Sequence, residues 1–108
     1  MKNRAVFSDL RGVIVTSGII SNSLGVVRAF GRRGIPVIYI GARQDRVSYS
    51  RYVKRLLLSP RSVDSEKEFI NTLLDFGKEI AGRIMIIPTG DSDVLALSKH
   101  KLELEEYY

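Results

Sequence analysis

The fold of this chain is indicated most directly by residues 13–25, Val13-Ile14-Val15-Thr16-Ser17-Gly18-Ile19-Ile20-Ser21-Asn22-Ser23-Leu24-Gly25. A run of β-branched apolar residues ends in a short glycine-bearing loop, and a helix is expected to start near Ser23. In α/β domains this succession presents backbone N–H groups and the positive end of a helix to an anionic ligand. The dinucleotide fingerprint G-x-G-x-x-G is absent, and no Gly-Lys-Ser/Thr of a P-loop follows. The stretch therefore predicts an architecture but no standard cofactor.

The rest of the chain continues the alternation of strands and helices. Apolar runs predict strands, and the i, i+3 spacing of apolar residues predicts helices between them. A short helical turn is expected around residues 48–52, and Gly34 and Gly82 are expected to end helices. Strands that are apolar on both faces are typical of a parallel sheet covered on both sides. The predicted strands cover residues 13–16, 37–40, 55–58 and 84–87, and the predicted helices run over 23–33, from 64 or 65 to 80, and from 91 or 92 onward. We therefore predict one α/β domain over residues 1–108, three-layered, with a four-stranded parallel sheet in the order 3-2-1-4.

Composition excludes several classes of site. The 108 residues include no cysteine, which rules out disulfides, thiolate metal sites and a cysteine nucleophile, and which fits a reducing cytoplasm. The apolar runs are too short to span a membrane, and the first residues lack a signal-peptide core.

Charge is distributed unevenly along the chain. Residues 1–61 carry 12 Lys/Arg against 2 acidic residues, whereas residues 62–108 carry 5 against 10. Such a basic half could bind nucleic acid. The basic residues are spread over predicted helix, loop and strand edges, however, and this favours solvated faces and a pocket that prefers anions. Nucleic acid is therefore not the expected partner.

Ligands of open parallel sheets bind outside the carboxyl ends of the strands. Two loops satisfy this condition. A third segment carries an arginine that could form a bidentate pair with a carboxylate or phosphate. The alternative for the serine, threonine and aspartate side chains is helix capping, and for the arginine it is solvation. The predicted substrate-binding residues are Gly18, Ser21, Asn22, Ser23 and Gly25 in the first loop, Thr89 and Asp91 in the second, and Arg51 in the third segment.

No catalytic or metal-binding residues are predicted. Asp91 and Asp93 lie in one turn without a third ligand, which is a weak case for a metal. His100 is the only histidine and belongs to a Lys-His-Lys run. A nucleophile with a base and an orienting group cannot be assembled from these residues.

Three segments together carry a resemblance to a known family. They are Gly18-x6-Gly25-Val26-Val27-Arg28-Ala29-Phe30-Gly31-Arg32-Arg33-Gly34-Ile35-Pro36-Val37, Ser50-Arg51-Tyr52, and Ile87-Pro88-Thr89-Gly90-Asp91-x3-Leu95-x2-Ser98-Lys99. In order and spacing the chain from residue 13 to 108 resembles the N-terminal, pre-ATP-grasp domain of ATP-grasp ligases. It is most similar to the branch that includes carbamoyl-phosphate synthase and D-aspartate ligase.

The resemblance implies a Rossmann-like domain on the substrate side of a carboxylate–amine ligase that works through an acyl phosphate. ATP and Mg²⁺ would be held by two later domains, so this chain alone would need no cofactor and would be inactive. The loops 18–25 and 89–91 would face a small carboxylate substrate. Gly41-Ala42-Arg43 departs from many relatives, which carry an acidic residue there.

Two other functions stay open at this point. One is a free-standing Rossmann-like module that binds a nucleotide or NADP, with Arg43 placed for a 2′-phosphate. The other is a non-catalytic interaction domain with a basic face.

The last residues carry apolar side chains that no single helix face can hold. Leu102 and Leu104 would point about 160° apart on a helix. One interpretation is a frayed terminal helix that is partly docked on the domain. The other is that a further domain follows Tyr108, and in its absence we expect either disorder beyond about residue 101 or self-association into a homodimer.

Overall fold

The computed structural model describes residues 11–80 and 84–108. Gly82, predicted to end a helix, lies outside the described residues. The strands and helices are β1 (Gly12–Thr16), α1 (Ile20–Gly31), β2 (Val37–Gly41), β3 (Val53–Leu58), α2 (Glu66–Ile80), β4 (Ile84–Ile87), α3 (Asp91–Lys99) and α4 (Lys101–Leu104). All strand pairs are parallel, in the order β3-β2-β1-β4. This confirms the predicted α/β class and strand order. No helix in the described part of the chain has the length and apolarity needed to cross a membrane.

The sheet separates two apolar cores, because successive side chains of a strand point to opposite faces. On one face, Val13, Val15 and Tyr39 pack with Val27 of α1. On the other, Ile14, Ile38 and Ile40 pack against α2, α3 and α4 through residues that include Phe69, Leu73, Ala96 and Leu104. The strands β1 and β2 are buried throughout. This is the three-layer arrangement that a continuous apolar strand sequence favours.

The helix α1 begins at Ile20, three residues earlier than the sequence predicts, and ends at Gly31, two residues before the predicted end. Gly34 has a φ of +76°, which glycine adopts without a steric cost. The N–H of Gly34 donates to the carbonyl oxygen of Gly31 at 3.0 Å, and the N–H of Ile35 donates to that of Phe30 at 3.2 Å. These two bonds satisfy carbonyl groups that the end of a helix leaves open.

The strand β3 differs from the prediction that every strand is apolar on both faces. It lies at the edge of the sheet, and its residues Lys54 and Arg55 are exposed. The guanidinium of Arg55 lies 4.9 Å from the ring centre of Phe76 and pairs with Glu79 at 3.1 Å. An edge strand has one neighbour only, so its outer positions remain in water and accept charged side chains.

The segment after α3 packs on the domain through part of its apolar residues. Leu104 joins the core, and the hydroxyl of Tyr108 donates to the carbonyl oxygen of Leu73 at 2.5 Å. Burial raises the pKa of that hydroxyl. Leu102 points away and is 83% exposed. The predicted division of these side chains between two helix faces is therefore confirmed, with Leu104 and Tyr108 docked on the domain and Leu102 exposed.

Candidate ligand-binding site

A crevice lies where the loops after β1 and β4 meet. These strands are neighbours, but the chain leaves β1 toward β2 on one side and reaches β4 on the other. Such a switch point is where parallel sheets bind ligands. The crevice has a volume of about 660 Å³. It is lined by Ile19, Ser21, Asn22, Gly25, Val26, Pro88, Thr89, Gly90, Asp91 and Val94. We call this depression the β1–β4 crevice.

Two glycines allow the backbones of the two loops to touch at the base of the crevice. A β-carbon placed on Gly18 would lie 2.7 Å from the backbone nitrogen of Gly90 and would also collide with the carboxylate of Asp93. A β-carbon on Gly90 would lie 3.1 Å from the α-carbon of Gly18. The two backbones therefore touch directly. Gly18 is required by this contact, independently of any approach by a ligand.

Beneath this contact, hydroxyl groups connect β1 to both loops. The N–H of Thr89 donates to the hydroxyl oxygen of Thr16 at 2.9 Å, and the hydroxyl of Thr89 donates to the carbonyl oxygen of Thr16 at 2.9 Å. The hydroxyl of Ser23 donates to the same carbonyl oxygen at 2.6 Å. All three side chains are buried. Their hydrogen bonds connect the end of β1 to the two loops, and each buried hydroxyl is satisfied by another part of the site.

A buried carboxylate extends this network to the loop that follows β3. Asp93 is 3% exposed and accepts hydrogen bonds of 2.6 Å from the hydroxyls of Thr16 and Ser62. The Ser62 hydroxyl also lies 3.0 Å from that of Ser92. Charge-assisted bonds of this length are among the stronger ones in proteins. The sequence analysis did not single out Thr16, Ser62 or Ser92 as site residues, and it considered Asp93 only as a weak metal ligand.

The first turns of α1 and α3 border the crevice without side-chain caps. Their N-cap residues are Ile19 and Gly90, and neither helix has a capping side-chain hydrogen bond. The capping interpretation of Ser21, Asn22, Ser23, Thr89 and Asp91 is therefore wrong. The first intrahelical bonds come from the N–H groups of Ser23 and Val94. The preceding N–H groups have no intrahelical acceptor, so both positive helix ends remain available to a ligand.

Gly25 lies inside α1 and lines the crevice, and no contact in the described part of the chain requires a glycine at this position. A β-carbon at this position would meet no atom within 4 Å. A glycine in a helix interior costs about 0.5–1 kcal/mol relative to alanine. The position therefore leaves open space toward the crevice at a cost to helix stability.

The structure divides the predicted residues into three groups. Ser21, Asn22, Gly25, Thr89 and Asp91 line the crevice, and Gly18 and Ser23 support it from below. Arg51 lies elsewhere, beside the ring of Tyr52 on the outer side of α1.

His100 lies away from the crevice. Its ring nitrogens approach Glu103 at 3.0 Å and Glu66 at 3.3 Å. The hydrogen bond that His100 donates to Glu103 raises the pKa of His100, with a further contribution from Glu66. These contacts join α4 to α2 and do not reach either loop of the crevice.

The crevice combines backbone donors, neutral polar side chains and one carboxylate. Among the described residues that line it, Asp91 is the only ionisable one. The helix ends can hold a carboxylate or another anion, while Asp91 can accept a hydrogen bond from an ammonium or hydroxyl group. Within residues 11–80 and 84–108, no three His, Cys, Asp or Glu side chains are grouped so that they could hold a metal ion.

Comparison with known proteins adds no identity. Neither the protein-family models, nor the curated proteins, nor the solved structures contain a match to this chain. The function is therefore inferred from the site and from the sequence resemblance.

Proposed function

We propose that this chain is the N-terminal, substrate-side domain of a cytoplasmic ATP-dependent carboxylate–amine ligase and is inactive in isolation. The observation that carries the proposal is the β1–β4 crevice, in which the two loops with the family-like motifs meet. The two motifs are far apart along the chain, and the parallel topology brings them together at one switch point. The structure described above has an α/β fold with a parallel sheet. Its assignment to the pre-ATP-grasp type depends on the sequence resemblance.

In this proposal the crevice binds and orients the acid. Its carboxylate would lie against the N–H groups that begin α1 and α3, with Ser21 and Asn22 at its side. Asp91, at the opposite loop, would accept a hydrogen bond from an amino group of a substrate. ATP and Mg²⁺, which activate the carboxylate as an acyl phosphate, are assigned to domains outside this chain.

The buried network beneath has a positioning role in the proposal. Thr16 joins both loops through its hydroxyl and its carbonyl oxygen, and Asp93 fixes the Thr16 hydroxyl. Neither group touches the crevice, so they would act on the substrate only through the position of the loops.

The test for binding uses the 108-residue chain and nuclear magnetic resonance. A panel of small amino acids and dicarboxylic acids is titrated while the backbone amide signals are followed. We expect shifts at Ser21, Asn22 and Asp91, with no shift at Leu102, which lies on a different surface. Shifts that spread over the whole chain, or no shift with any acid at millimolar concentration, would contradict the assignment.

The test for the reaction uses the protein encoded by the complete reading frame. We expect ADP release that requires both an acid and an amine, and hydroxylamine should trap the acyl phosphate. The change Asn22→Ala should raise KM for the acid with little effect on KM for ATP. ADP release that does not depend on any acid would refute the ligase proposal.

A further inference from the structure

A second depression lies on the outer side of α1, away from the β1–β4 crevice. Its volume is about 580 Å³, within the range of small-ligand sites. It is lined by Leu24, Arg28, Arg32, Arg46, Tyr49, Ser50, Arg51 and Tyr52. We call it the arginine depression. The sequence suggested that the basic residues are dispersed, and for these four arginines the structure shows the opposite.

The positive charge of this depression is not balanced by its own surroundings. In the described part of the chain, no carboxylate lines it and none of its arginines forms an ion pair. Asp45 is the acidic residue of the loop between β2 and β3, which also carries Arg46 and Arg51, and its carboxylate binds other groups. It accepts a hydrogen bond from the hydroxyl of Tyr39 at 2.7 Å and others from the N–H groups of Val47 and Ser48. Burial, together with the hydrogen bond to Asp45, raises the pKa of Tyr39, so this contact remains intact at neutral pH.

The arrangement of like charges has a cost for the free protein. Arg28 lies on α1 and Arg32 directly follows its last residue, and the N–H of Arg32 donates to the carbonyl oxygen of Arg28 at 3.0 Å. The two side chains therefore lie on the same face, about 6 Å apart along the axis. Like charges at this spacing destabilise a helix. An anion bound between the helix and the loop would remove this repulsion.

The arginine depression is also partly fixed in shape. The ring of Tyr52 packs directly on Gly31, where any β-carbon would collide with it. The guanidinium of Arg51 lies 4.9 Å from the centre of this ring and donates to its hydroxyl oxygen at 2.9 Å. Arg51, with a smaller contribution from Arg32, lowers the pKa of the Tyr52 hydroxyl. A held guanidinium loses less conformational entropy when it binds an anion than a free one does.

The residue types indicate the chemistry of the ligand. Arginine presents paired N–H groups that match a phosphate group, and all four cations here are arginines. Tyr49 is 72% exposed, with its hydroxyl directed to Gln44 at 3.0 Å, and its ring offers a flat surface on which a base can stack. We propose that the arginine depression binds a nucleoside phosphate, with the phosphate on the arginines and the base on Tyr49.

This site is distinct from both ligand sites considered so far. The NADP alternative places a phosphate at Arg43, which lies in the same loop but does not line the arginine depression. The ligase proposal places its substrate in the β1–β4 crevice, which shares no lining residue with it. Either proposal can therefore fail without the other.

The experiment measures binding of AMP to the 108-residue chain by calorimetry at low ionic strength. We expect a dissociation constant between about 10 μM and 1 mM, weakening as salt is added. The change Arg51→Gln should weaken binding about tenfold, as expected for the loss of one charge-assisted hydrogen bond. Tyr49→Ala should weaken binding of AMP but leave binding of inorganic phosphate unchanged.

The matched control is Arg43→Gln, which removes the same charge from the same loop and should leave AMP binding unchanged. Because Arg51 packs on Tyr52, the separate variants Arg28→Gln and Arg46→Gln test the same depression without disturbing that contact, and each should weaken binding severalfold.

Three results would overturn the proposal. The first is no AMP binding by the unmodified chain at 1 mM or above. The second is equal weakening by Arg43→Gln and by Arg51→Gln, Arg28→Gln and Arg46→Gln, which would indicate net charge alone. The third is tight binding of a single-stranded oligonucleotide without binding of AMP, which would assign the surface to nucleic acid.

Discussion

Replacement of Gly25 by alanine should stabilise the fold and impair the crevice at the same time. The new β-carbon would enter open space, since no atom lies within 4 Å of its position. Alanine in place of a helix-interior glycine is worth about 0.5–1 kcal/mol. For a domain of this size that gain corresponds to a rise in Tm of roughly 2–6 °C. Thermal unfolding followed by circular dichroism measures this quantity directly.

The matched control is Gly31→Ala, at the C-terminal end of the same helix. Here the added β-carbon would collide with the ring of Tyr52, so the expected change is a loss of about 1–3 kcal/mol. The two substitutions are chemically identical and should change stability in opposite directions. Equal effects on Tm would refute the argument from the local surroundings of each glycine.

The second half of the prediction concerns ligand binding. If Gly25 leaves room for a substrate, the methyl group of Gly25→Ala should weaken binding of any acid that the panel identifies, despite the higher Tm. A variant that is more stable and binds equally well would show that the open space at Gly25 is not used by a ligand.

Three further substitutions test the remaining contacts. Asp93→Ala should cost about 3 kcal/mol in denaturant unfolding because it leaves buried hydroxyl groups without their acceptor, and a loss below about 1 kcal/mol would contradict this. Tyr108→Phe should lower stability by about 1 kcal/mol through its lost hydrogen bond, and an unchanged midpoint in urea would show that the docking of the last residues does not depend on it. His100→Gln should lower the stability of the folded protein more at low pH than at high pH. The pKa of His100 is raised in the folded protein, so its contribution is complete below about pH 6.5 and is lost as pH rises through the folded value. The difference in Tm between the two proteins should therefore shrink as the pH rises above about 6.5, and a constant difference would exclude the pairing with Glu66 and Glu103.

The strand order and the layers could be predicted because they follow from local patterns. The apolar run Val13–Val15 requires burial on both faces, and the glycine at position 34 supplies a left-handed turn that few other residues adopt. The convergence of the loops after β1 and β4 follows from the parallel topology alone.

The side chains beneath the crevice could not be predicted in the same way. Thr16 and Ser62 are 46 residues apart in the chain and are joined only through Asp93. Ser21 and Ser23 look equivalent in sequence, but the helix begins at Ile20, so one points to the crevice and the other to the core. A shift of three residues in a helix start changes which side chain is buried, and the sequence does not define that start sharply.

The direct contact between Gly18 and Gly90 limits how the crevice could be adapted to a different ligand. Its base is formed by backbone atoms and therefore offers no rotamers that could adjust to a larger molecule. Widening it would require β4 to move away from β1, at the cost of the hydrogen bonds between the two strands. Changes of specificity, by evolution or by design, would therefore have to arise at exposed rim positions such as Ser21, Asn22 and Val94.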